Sequence, residues 1–140
     1  MPSKTLNSKS RTYLILSVDD SPFIRKFIKI SLESINNYTI NLIEAEDGYE
    51  AFSLIKKAFP DLLITDYNMP RMDGLDLITK IRNEKLFKNI PIILLTGEND
   101  EEDVINKFCK DFNIIFLKKP FRQNQLNDVV SNGIRVSYEW

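Results

Sequence analysis

The sequence predicts one doubly wound α/β domain, a parallel sheet with helices on both faces. Two observations predict it. Short apolar runs rich in β-branched residues alternate along the chain with segments of helical apolar spacing, and the connections between them are short. No internal repeat or low-complexity tract interrupts the alternation. The 140 residues allow one compact domain. A chain near that length buries roughly 68–70% of its unfolded surface, enough for a core without staples.

Tyr13-Leu14-Ile15-Leu16-Ser17-Val18 is the first strand, apolar enough to be buried on both faces, and it stops at Asp19-Asp20. Ser21-Pro22 opens the first helix with a capping hydroxyl and a proline where the missing N–H is harmless. Ile24, Phe27, Ile28, Leu32 and Ile35 give it an apolar face. Tyr38 to Ile43 reads as the second strand and Gly48 to Phe59 as the second helix, with Ala51, Leu54, Ile55 and Ala58 on one side. The third strand, Asp61 to Thr65, ends at Asp66, and Leu75, Ile78 and Ile81 mark the third helix. Ile90 to Leu95 is the fourth strand, ending at Thr96, with Pro91 early enough to be tolerated. A fourth helix is expected from about Asp100 to Lys110, its acids Glu101, Glu102 and Asp103 suiting the positive end. Ile114 to Leu117 is the fifth strand; Leu126, Val129, Val130 and Ile134 line a last helix ending near Ile134. The expected organisation is a polar tail over residues 1–11, a domain over 12–136 and a short tail over 137–140, with no output domain in the chain. The first tail contains Lys4, Lys9 and Arg11 and no acid, and reads as disordered.

Several function classes are excluded by composition. Without histidine there is no Ser-His-Asp triad, His-metal site or phosphohistidine of the chain's own. A single cysteine, Cys109, rules out an internal disulfide and a Cys-rich zinc site. The four glycines, Gly48, Gly74, Gly97 and Gly133, are too dispersed for a dinucleotide turn or a P-loop. Nineteen basic and twenty acidic residues give no counterion-release drive, so direct nucleic-acid binding is not expected. No apolar run approaches the ~20 residues of a bilayer span, and a cytoplasmic location is the expectation.

In an open parallel sheet, ligands bind beyond the carboxyl ends of the strands. Four strands here end in Asp19-Asp20, Asp66, Thr96 and Lys118-Lys119, which should share one crevice. Close carboxylates repel by about 4 kcal/mol per pair at an effective dielectric near 20. Protonation of one acid, or a hard cation, relieves this. Mg²⁺ suits the second solution, since it takes one or two carboxylates and keeps other positions for water and phosphate oxygens, and Mn²⁺ can substitute. Such a pocket meets the needs of phosphoryl transfer, which are alignment and charge stabilisation. Asp66, at the end of a central strand, is the expected acceptor of an acyl phosphate. Asp19 and Asp20 hold the metal, Thr96 donates its hydroxyl, and Lys119, not the oppositely facing Lys118, supplies the cation.

Val18-Asp19-Asp20-Ser21, Asp66-Tyr67-Asn68-Met69-Pro70-Arg71-Met72-Asp73-Gly74-Leu75, Leu95-Thr96-Gly97 and Lys119-Pro120-Phe121 together resemble the response-regulator receiver domain, from about Tyr13 to Ile134. The resemblance implies a five-stranded, flavodoxin-like sheet of order 2-1-3-4-5. It implies that a histidine kinase or histidine phosphotransfer protein phosphorylates Asp66. It also implies that Asp20, Asp66 and the backbone carbonyl of Asn68 ligate Mg²⁺, with Asp19 assisting through water. Thr96 and Phe116 match the coupled switch positions, and the Lys119–Pro120 bond matches one that is cis in receivers. Switching would be read by an unknown downstream effector on the surface of the fourth helix, fifth strand and fifth helix; a phosphorylation-dependent homodimer is left open. The domain is then a signalling module, not an enzyme, apart from self-dephosphorylation. Asn68 and Glu98, two residues beyond Asp66 and Thr96, are placed to tune that reaction, giving a phosphoryl lifetime of minutes or less.

The chain departs from the pattern before its fifth strand, where Lys110-Asp111-Phe112-Asn113 replaces a Gly/Ala-rich turn and Asn113 is the best left-handed stop. Phe116 also lacks a tyrosine hydroxyl, so it can signal only by burial. Taken singly, each residue has a plainer reading: Asp19-Asp20 as a helix cap, Asp66 as a turn residue, Thr96 and Lys119 as strand ends, Phe116 as core. The alternatives for the whole are a receiver-like interaction module without phosphorylation and an aspartyl-phosphate phosphatase. The latter would place an Asp-x-Asp pair after the first strand, which is absent.

Overall fold

The computed structural model describes residues 11–97 and 100–138. The tail expected over residues 1–11 therefore lies, apart from Arg11, outside the described residues, as does Glu98. Strands β1 (Thr12–Val18), β2 (Thr39–Ala45), β3 (Leu62–Asp66), β4 (Ile92–Thr96) and β5 (Ile115–Lys118) alternate with helices α1 (Pro22–Glu33), α2 (Gly48–Ala58), α3 (Gly74–Arg82), α4 (Glu102–Phe112) and α5 (Gln123–Tyr138). The sheet is wholly parallel, in the order β2-β1-β3-β4-β5.

Strand pleating splits the core in two. Leu16, Val18, Leu63, Ile92 and Leu94 face α2, α3 and α4, packing on Ala51, Ile55, Leu77, Ile78, Ile81 and Ile105. Tyr13, Ile15, Leu62, Ile64, Ile93 and Leu95 face α1 and α5, packing on Ile28, Leu32, Leu126, Val130 and Ile134. The central strands β3 and β4 are buried at every residue, which explains their unbroken apolar runs.

Local chemistry sets the element ends. Ser21 caps α1 by accepting from the Ile24 N–H at 3.3 Å, with Pro22 in the first turn. Asp47 and Asp73 cap α2 and α3 in the same way. Asn113 closes α4 at φ 57°, the left-handed stop expected there. Strand β2 runs two residues past the expected Ile43, to Ala45, and three further differences from expectation bear on the tails and on the loop before α4. Helix α4 begins at Glu102, leaving Asp100 in the preceding loop. Helix α5 continues to Tyr138, because no glycine or proline follows Ile134 to stop it, so residues 137 and 138 are helical and not tail. The Arg11 carbonyl, expected in a tail, accepts from the Thr39 N–H at 3.1 Å beside the start of β2.

Candidate functional site

Register brings the strand ends together. Val18 lies opposite Thr65, so the next residues, Asp19 and Asp66, stand side by side at the end of the sheet. Asp66 lies opposite Leu95, and Thr96 opposite Lys118. Beyond the ladder, the Tyr67 N–H donates to the Leu95 carbonyl at 2.9 Å and the Lys119 N–H to the Thr96 carbonyl at 2.7 Å. Asp19, Asp66, Thr96 and Lys119 thus share one rim, and the Lys119–Pro120 peptide is cis. Lys118 points elsewhere, 3.6 Å from the Glu102 carboxylate.

Carboxylate oxygens of Asp19, Asp20 and Asp66 lie within 4.8 Å of one another. Asp19 and Asp66 are 1% and 6% exposed, whereas Asp20 faces solvent. Lys119 Nζ donates to Asp66 Oδ1 at 2.7 Å and lies 3.8 Å from Asp19 Oδ2. Burial dominates the electrostatics. It raises the Asp66 carboxyl to about 6 against the pull of Lys119, and the neighbouring Asp19 pushes the same way. Burial likewise raises Asp19, opposed by the Ser21 N–H, which donates to Asp19 Oδ1 at 2.9 Å. Asp19 Oδ2 is buried with no hydrogen-bond partner. One lysine facing three carboxylates leaves the cluster short of positive charge, and an orphaned buried carboxylate oxygen is a costly feature that a cation would relieve. The donor set is all oxygen and carboxylate-rich, so the residues present fit a hard divalent cation such as Mg²⁺.

The loops around the cluster are held by contacts that sequence reasoning left out. Arg25 donates to the Asp19 carbonyl at 2.6 Å and to Glu44 at 3.1 Å, tying the β1–α1 turn to β2. Arg71, at φ 70°, pairs with Asp47 and anchors the β3–α3 loop to the start of α2. Gly74 is required by close approach: a Cβ there would stand 2.3 Å from the Asp66 carbonyl oxygen. The Asn68 side chain, exposed beside the cluster, donates to Asp100 Oδ1 at 2.8 Å. An arginine at helical spacing after the acidic pair was the one available signal; Arg71 and Asp100 carry none, since Asp47 and Asn68, which they hold, are distant in sequence. Phe116, the expected switch residue, is 36% exposed on edge strand β5. With Thr96 and Gly97 it lines a gap of only about 10 Å³. Cys109 is buried and its thiol pushed up to about 11, which removes thiolate chemistry near neutral pH.

Comparison with known proteins points the same way. A family model described as the response regulator receiver domain matches residues 15–131. The chemotaxis protein CheY homolog of Campylobacter jejuni is 38% identical over 124 residues, spanning 85% of this chain and 93% of that protein. Chemotaxis protein CheY1 of Helicobacter pylori is 40% identical over 115 residues, spanning 81% and 90%. The high-resolution structure of chemotaxis response regulator CheY4 of Vibrio cholerae superposes with a TM-score of 0.73 at 30% identity, covering 87% of this chain and 98% of that one. A parallel sheet of this order, an acidic rim at its carboxyl end and these likenesses over nearly the whole fold establish that the chain belongs to the response regulator receiver domain family, a family of signalling modules.

Proposed function

We propose that the protein is a phosphoacceptor of two-component signalling in which Asp66 takes a phosphoryl group from a phosphohistidine of a histidine kinase or phosphotransfer protein. The observation that carries this reading is the Asp19–Asp20–Asp66 cluster with Lys119 2.7 Å from Asp66. An Asp66 oxygen attacks phosphorus, the P–N bond of the donor breaks, and the imidazole leaves with the bond pair and takes a proton. With its carboxyl at about 6, Asp66 is mostly ionised at neutral pH and able to attack. Asp19, Asp20, Asp66 and the Asn68 carbonyl would hold Mg²⁺, with Asp19 acting through water. Bound there, the cation supplies the positive charge that lets an anionic donor approach acids. Lys119 neutralises a phosphoryl oxygen and the Thr96 hydroxyl donates to another.

Drawing Thr96 and Lys119 toward the new group alters the surface of α4, β5 and α5, where a downstream effector reads the state. The gap beside Phe116 holds about one water, so burying its ring requires Thr96 and its loop to move first. Asn68 and Glu98 tune hydrolysis of the acyl phosphate, whose expected lifetime is minutes or less. Among the described residues no helix is long and apolar enough to cross a membrane, and we place the protein in the cytoplasm with the kinases that would serve it. Incubation with a small phosphodonor and Mg²⁺ should add the mass of one phosphoryl group to the wild-type chain and none to Asp66→Asn. Retention of the label in that variant would overturn the assignment.

A further inference from the structure

Asp100 belongs to no motif, yet it joins the two loops that flank Asp66. Its Oδ1 accepts from the Asn68 side-chain amide at 2.8 Å, and its Oδ2 accepts from the Gly97 backbone N–H at 2.5 Å. Asn68 stands two residues beyond Asp66, and Gly97 immediately follows Thr96 at the end of β4. The Asp100 N–H in turn approaches the Gly97 carbonyl at 3.4 Å, folding the residue back on the strand end. Both N–H donors lie one or two steps past strand ends that the ladder places beside each other, on the rim where Asp66 emerges. A carboxylate with two oxygens held by two donors is the same recognition problem as a phosphoryl group with its oxygens. Asp100 also lines the small gap between Thr96 and Phe116.

Resting on the phosphoacceptor reading, we infer that Asp100 is an internal competitor of the phosphoryl group: its carboxylate occupies the Gly97 and Asn68 donors in the resting protein and must release them when Asp66 is phosphorylated. The acid is a positioning residue, since it touches neither Asp66 nor any proposed metal-ligating oxygen. Its release frees a backbone N–H adjoining Thr96 and opens space beside the same gap that Phe116 faces. The resting state is thereby favoured by bonds to a charged group, which are among the stronger hydrogen bonds in proteins. This gives the chain a threshold set by its own side chain.

The test is calorimetric titration of beryllofluoride, a non-covalent stand-in for the phosphoryl group, into the full chain at saturating Mg²⁺. Asp100→Ala should bind it on the order of tenfold more tightly than wild type, because the donors are vacated in advance. Asp100→Asn should gain less, since its carbonyl oxygen can still accept from the Gly97 N–H. Mg²⁺ affinity without beryllofluoride should stay within about twofold in both variants, because Asp100 is not among the proposed ligands. A merely structural role would lower affinity, so an unchanged or weaker Asp100→Ala overturns the inference. Equal gains in the two variants also overturn it, because only loss of charge would then be at work. Failure of the wild-type chain to take up beryllofluoride at all would instead remove the phosphoacceptor reading, and this inference with it.

Discussion

Strands β3 and β5 are both short members of the same parallel sheet, and they live in opposite environments. Every residue of β3 is buried, and it carries Asp66 at its end. Strand β5 is an edge, with Ile115 and Phe116 40% and 36% exposed and Lys118 reaching solvent. The proposed acceptor is thus mounted on a rigid, doubly covered strand, and the expected readout residue on a strand covered only in part. Precise charge placement needs the first arrangement; a surface with two accessible packings needs the second. The difference separates the chemistry of the rim from the movement it is proposed to cause.

The largest test of that contrast is a truncation in the buried strand. Ile64 is fully buried against the α1 and α5 face, so Ile64→Ala should destabilise by about 3–4 kcal/mol through lost transfer energy and a cavity. Urea unfolding would read this as a lower midpoint with an unchanged slope. A loss under about 1 kcal/mol would show that β3 is not the rigid mount described.

A second test concerns the acid that β3 buries. Folding raises the Asp66 carboxyl from 3.8 to about 6, so the folded chain holds the proton more tightly than the unfolded chain. The stabilising contribution is therefore full below about pH 4 and lost as pH rises to about 6, above which the buried charge costs stability. In metal-free protein, Asp66→Asn should be more stable than wild type above pH 6. The gain should reach up to about 3 kcal/mol, the free-energy equivalent of carrying that carboxyl from 3.8 to about 6. The advantage should vanish below pH 4. Mg²⁺ at ten times its Kd should recover about 1.4 kcal/mol for the wild type and little for the variant. An Asp66→Asn variant less stable than wild type at pH 8 would contradict the electrostatic account.

Much of this was legible in the sequence, for identifiable reasons. Apolar runs report burial on both faces directly, so β3 and β4 could be found, and the carboxyl-end rule then placed Asp19, Asp66, Thr96 and Lys119 on one rim. Asn113 was readable as a helix stop because asparagine tolerates the left-handed region; Phe59 and Arg71 adopt it too, at φ 52° and 70°, with no such signal. Strand order came from resemblance to receivers, since the runs alone leave it undetermined. Arg25 offered only its helical spacing after the acidic pair, and the roles of Arg71 and Asp100 were not readable, because each depends on a partner brought near only by the completed sheet. Asp100 was further hidden by its setting, an acid beside a helix start, where favourable interaction with the helix dipole already accounts for it.

The smallest expected effect falls on β5. Phe116 is 36% exposed at the sheet edge, so truncation uncovers less buried surface than at a fully buried position and leaves a space open to solvent, not a sealed cavity. Phe116→Ala should cost about 1–2 kcal/mol, below the Ile64→Ala loss. It should leave the uptake of one phosphoryl group from a small phosphodonor intact, because the acidic cluster and its lysine are held by Asp19, Asp20, Asp66 and Lys119 without the ring. Its effect should appear instead in the response of the α4–β5–α5 surface, read as smaller phosphorylation-dependent amide shifts there than in the wild type. If Phe116→Ala destabilises as much as Ile64→Ala, the edge strand is held as firmly as the centre. Loss of phosphoryl uptake would mean that the rim depends on the edge for its geometry, and the division between mount and readout would fail.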